Sequence, residues 1–105
     1  MATRQKYERL TKTIIKDGEA VQVNLTSREM KSTIAKAYGI SIEDVDKKYY
    51  LFRNRLRAYE SFKRESGYEV QRQSPLNVMY KQARAMIKHG ADYKPSREFQ
   101  AINQF

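Results

Sequence analysis

His89 is the one imidazole in the chain, and no cysteine accompanies it. No second histidine or cysteine exists to complete a nucleophile–base pair, and a thiolate metal site is excluded. His89 precedes Gly90 at what reads as a helix end, a position that gives it a structural role. Glu43, Asp44 and Asp46 open another helix and lack the oxygen spacing of a calcium loop. The four glycines build no phosphate-cradling loop of the P-loop or dinucleotide type. These residues predict no catalytic centre, no metal and no cofactor.

Arginine and lysine offer a different chemistry, the grip on phosphate. Residues 47 to 88 carry eleven basic and three acidic side chains, which is +8 of the formal +9. The bases are Lys47, Lys48, Arg53, Arg55, Arg57, Lys63, Arg64, Arg72, Lys81, Arg84 and Lys88; the acids are Glu60, Glu65 and Glu69. Charge segregated in this way makes a field that attracts a polyanion. A guanidinium forks onto phosphate with two parallel donors. Arg53, Arg55 and Arg57 stand two apart, so on a helix they fan across roughly 200° instead of lining one stripe. Tyr49, Tyr50 and Phe52 interleave with the charges, an arrangement that can stack unpaired bases. The competing reading makes Tyr49 and Phe52 core residues and Tyr50 an exposed flank.

Four segments must position these groups. Residues 1–10 read as a basic arm, and Arg4 and Lys6 there can follow a groove or a phosphate backbone. Residues 11–24 read as a β-hairpin around Asp17-Gly18, a pair suited to the positive φ of a two-residue turn. Val21 and Val23 then share one face, which must lie on the helices or on another chain, because a lone hairpin is marginal in water.

Residues 26–90 read as a helical core. Thr26 and Glu29 have the spacing of a capping box, and Met30, Ile34, Ala37 and Tyr38 mark an apolar face that Gly39 ends. Ser41 caps a second helix expected over residues 42 to about 66, roughly 37 Å long. Its stripe is Val45, Tyr49, Phe52, Leu56 and Tyr59, extending to Phe62. Ser74-Pro75 opens a third helix with Leu76, Met79, Tyr80, Ala83, Met86 and Ile87 on its face. Residues 91–105 read as a wrapping tail in which Ser96 caps a short turn. Its apolar members Tyr93, Phe99, Ile102 and Phe105 are candidates for docking on another protein.

The segment from Thr33 to Val45 resembles the core of a helix-turn-helix. Ala35 stands where two helices pack, Gly39 at the turn, and Ile40 and Val45 at core positions. The resemblance implies DNA reading around residues 41–48, from the start of the second helix. The alternative is an ordinary αα-corner, which the acids Glu43, Asp44 and Asp46 favour.

The fold class expected is mainly α: an N-terminal hairpin, three helices with a long basic middle one, and a tail, in one small domain of 105 residues. Eight tyrosines and four phenylalanines exclude a disordered basic tail. No segment has the apolar length of a signal peptide core or a bilayer span. The expectation is a soluble protein of the cytoplasm, or of the inside of a virion, with nucleic acid as partner and DNA favoured. The competing expectation is an assembly protein, such as a bacteriophage virion component lying between capsid and packaged genome.

Overall fold

The computed structural model describes residues 8–105. Arg4 and Lys6 of the expected arm lie outside the described residues. Two strands, β1 (Thr11–Lys16) and β2 (Glu19–Asn24), pair antiparallel from Thr11↔Asn24 to Lys16↔Glu19. Asp17 and Gly18 turn the chain with φ of 52° and 80°. Positive φ at both places is what a tight turn matched to strand twist requires, and aspartate tolerates it where bulkier residues do not.

The hairpin does not lie on the helices. Val23 alone of its strand residues is half-buried, and Ile15 is 73% exposed. Of the two expected covers, the helices of this chain and another chain, the first is absent among the described residues. The reason is visible at the hairpin's base. Leu25 N–H donates to the Leu10 carbonyl at 2.9 Å and Lys12 pairs with Glu29, so the ribbon is held at its root and projects from there.

Helix α1 (Ser27–Tyr38) begins with both halves of a capping box. Thr26 Oγ1 accepts from Glu29 N–H at 3.1 Å, and Thr26 N–H donates to Glu29 Oε1 at 3.3 Å. It ends at Gly39, whose φ of 64° directs its N–H back to the carbonyls of Ala35 and Lys36. Helix α2 (Ile42–Glu65) is capped by Ser41, and helix α3 (Pro75–His89) by Ser74 with proline in its first turn. A 3-10 turn (Gly90–Asp92) and the short helix α4 (Arg97–Ile102), capped by Ser96, complete the chain.

One apolar core joins the helices. Met30, Ile34 and Ala35 of α1 meet Val45, Phe52 and Leu56 of α2 and Leu76, Met79, Tyr80 and Ala83 of α3, with Ile102 of α4 closing the side. Fully burying an aliphatic side chain of this size contributes about 1.5–3 kcal/mol. Two expected stripe members fall outside. Phe62 and Ile87 are exposed, and the Phe62 ring meets the equally exposed Phe105.

Candidate nucleic-acid interface

The arginines of α2 divide between two flanks. Arg53, Arg57 and Arg64 stand four and seven apart and share one side; Lys48, Arg55 and Phe62, seven apart, share the other. On the first flank two guanidiniums already have partners inside the chain. Arg57 Nη1 donates to Glu60 Oε1 at 2.5 Å and to the Gln73 carbonyl at 3.1 Å. Arg64 Nη2 donates to the Val70 carbonyl at 3.1 Å. Both stitch the connector after α2 to the helix. Arg57 thereby serves as a structural cation, because Glu60 beside it is 1% exposed and needs a counter-charge.

Other bases lean on aromatic rings. Lys48 Nζ sits 5.3 Å from the centre of the Tyr38 ring, and Lys63 Nζ 4.3 Å from that of Tyr68. Arg84 donates to Tyr80 Oη at 3.3 Å. Such contacts are worth about 0.5–1 kcal/mol at exposed sites and leave the charge available to an anion. Lys81 pairs with Glu8 at 2.8 Å.

Lys47, Arg53, Arg72 and Lys88 are exposed and have no hydrogen-bond or ion-pair partner among the described residues. Arg55 also has none, yet it is half-buried. The structure therefore brings Lys48 and Arg55 to one cavity, and Arg72 and Lys81 to another that shares Gln82 and Phe99 with it. It does not bring all the bases onto one stripe.

The α1–α2 corner has the packing expected of its segment. Ala35 and Val45 are buried, Ile40 is half-buried, and Ile40 N–H donates to the Ala35 carbonyl at 3.0 Å. Asp46 of the next turn pairs with Lys31 at 2.8 Å, while Glu43 and Asp44 stay exposed at the start of α2. Two exposed carboxylates repel a phosphate backbone at this end. The unpaired bases of α2 begin at Lys47, one turn further on.

The tail departs from the expected docking surface. Ile102 is 1% exposed, and the Phe99 ring packs on Phe52 with centroids 5.4 Å apart. These two are core residues, because α4 folds back on α2 and supplies the fourth wall of the core. Tyr93 is half-buried and stacks on His89 at 6.2 Å. Phe105 remains exposed, with its ring against Tyr59 at 5.6 Å and Phe62 at 5.5 Å.

Sequence reading missed a cavity of about 380 Å³ where α1, α2, α3 and the tail converge. Tyr38, Phe52, Tyr93 and Phe99 give it aromatic walls, and no carboxylate lines it. Burial, and then the neighbouring Tyr93, push the Tyr38 phenol above its ordinary range; burial does the same to Tyr93. The seven-residue spacing of Lys48 and Arg55 is a sequence signal that could have pointed to this side of α2.

Among the described residues no group of three or more histidine, cysteine or acidic side chains could hold a metal ion, and no helix is long and apolar enough to cross a membrane. The chain matches no protein-family model, no curated protein and no solved structure.

Proposed function

We propose that this chain is a non-enzymatic nucleic-acid-binding protein, with DNA the favoured partner, that holds phosphates through the exposed cations of α2, α3 and the connector between them. One observation carries the reading. Of 21 basic side chains, those in ion pairs among the described residues are Lys12, Lys31, Arg57 and Lys81. The surplus has no acid to answer it, and a polyanion is the partner that does. Lys47, Arg53, Arg72 and Lys88 are the leading phosphate contacts, with Lys63, Arg64 and Arg84 adding charge while bound to their own neighbours. DNA is favoured because the α1–α2 corner resembles a helix-turn-helix and a helix fits the major groove. Such a protein works where the nucleic acid is, in the cytoplasm or packaged within a virion.

The test is fluorescence anisotropy with a labelled random duplex and its single strand across salt. Binding that collapses between roughly 50 and 200 mM salt supports the reading. No binding at low salt overturns it and moves the charge to a protein partner. A second reading, an assembly protein, draws on the projecting hairpin with Ile15 exposed and on the exposed Phe62 and Phe105. Self-association in sedimentation that disappears with Ile15→Thr would favour that reading.

A further inference from the structure

Arg55 sets the problem. The residue is half-buried, its guanidinium carries five donors, and it has no partner among the described residues. Beside it lies the aromatic cavity, and Lys48 stands on the same rim two turns earlier. No acid neutralises either cation there. A ligand that fits must bring its own negative charge next to a flat or apolar body.

We infer that this cavity receives one unstacked nucleotide of a single strand, its base between Tyr38, Phe52, Tyr93 and Phe99 and its phosphate on Arg55 and Lys48. The inference rests on the nucleic-acid reading and names the unit that this one site takes. A volume of about 380 Å³ falls at the small end of the range for ligand sites, and a base with its sugar is a small ligand. Aromatic faces take any base by stacking. Met79 and Met86 line the same wall with polarizable thioethers that adapt to a ring.

The two cations alone would serve an acyl chain's carboxylate equally well. The carboxamides decide for a base. Gln82 and Asn103 reach the lining, and the amide is the side chain whose adjacent donor and acceptor match a base edge. Gln82 Nε2 donates to Ser96 Oγ at 3.4 Å, while its Oε1 is buried without a partner among the described residues. An exocyclic amine of a base, with the amide turned toward it, would relieve that deficit.

The test uses the full chain with its methionine methyls labelled for NMR. Met79 and Met86 report the cavity, and Met30, buried in the core between α1 and its neighbours, is the internal control. The probes are a short oligodeoxyadenylate and decanoate. Saturable shifts of Met79 and Met86 with the oligonucleotide, Met30 unmoved, are expected. Tyr93→Ala should weaken that binding about tenfold, the loss of one stacking face. An oligonucleotide that binds with both cavity methyls unmoved overturns the inference and leaves the phosphate-binding reading standing. Decanoate moving the methyls where the oligonucleotide does not makes the cavity an acyl site, which also overturns it. Failure of every strand and duplex to bind removes both readings together.

Discussion

Arg57 Nη1 lies 2.5 Å from Glu60 Oε1, three residues along the same helix, and the other oxygen of that carboxylate accepts Gln73 N–H at 3.0 Å. Through this pair the interior of α2 fixes the entry of α3, since Gln73 immediately precedes the Ser74 cap. The carboxylate is buried, so its cation is part of the fold. Arg57→Ala is expected to cost about 3–5 kcal/mol of stability in urea unfolding, the usual penalty for leaving a buried charge unpaired. It should leave the salt dependence of nucleic-acid binding as it was. A variant of native stability with weakened binding would return Arg57 to the phosphate-contact set.

Arg53 carries the converse prediction. It is exposed, four residues before Arg57 on the same flank, with no partner among the described residues. Arg53→Ala should change stability by less than about 0.5 kcal/mol. The slope of log affinity against log salt on duplex DNA should become shallower by about 0.9, one phosphate's counterion. Lys47→Ala and Arg72→Ala are expected to behave alike. An unchanged slope in all three would place the binding face elsewhere.

The contrast between these two arginines shows how far the sequence could be read. What is local was legible. Asp17-Gly18 set the hairpin turn, Thr26 with Glu29, Ser41, Ser74-Pro75 and Ser96 set the helix starts, and Gly39 and Gly90 set two ends. Caps and tight turns depend on residues within a few positions of one another. What depends on long-range return of the chain was hidden. Arg57 finds its second partner sixteen residues away, and Glu60 reads in sequence as one acid among three. The cavity draws walls from four separate segments, so no spacing announces it as a whole. The hairpin's cover stayed open between the helices and another chain for the same reason: alternation requires a cover and does not say where the cover is.

The tail makes a third prediction. Because Ile102 is buried, Ile102→Ala should destabilise by about 2–5 kcal/mol through lost burial and the cavity left behind. Removal of residues 91–105 should lower the free energy of urea unfolding by at least as much. A truncated chain as stable as the full one, measured by circular dichroism, would restore the reading of this segment as a detachable docking surface.

Glu29 provides a fourth, at acid pH. The Lys12 ammonium, and then the Thr26 backbone N–H, hold its carboxyl below the ordinary value of 4.5. A carboxyl lowered in the folded state contributes stability above its unfolded value and loses it as pH falls through the folded one. The link from hairpin to α1 should therefore weaken below pH 4.5, not at neutral pH. Lys12→Ala should move the Glu29 titration, followed by NMR of its side chain, up toward 4.5. A titration indifferent to that substitution would deny the ion pair in solution.

The cavity phenols titrate at the other extreme. Tyr38 is raised above its ordinary value of 10.0 by burial and by Tyr93, and Tyr93 is raised by burial. A group raised in the folded state contributes stability that is complete below the unfolded value and is lost as pH climbs through the folded one. Below pH 10.0 both phenols stay neutral and the aromatic walls stay intact; above it their ionisation favours the unfolded chain. Phenolate absorbance should show a late component that Tyr38→Phe reduces. A bound nucleotide should delay that component further, because a phosphate on Lys48 and Arg55 adds negative charge beside the phenols. A late component that advances toward 10.0 when oligodeoxyadenylate is added would mean that the strand does not enter this cavity.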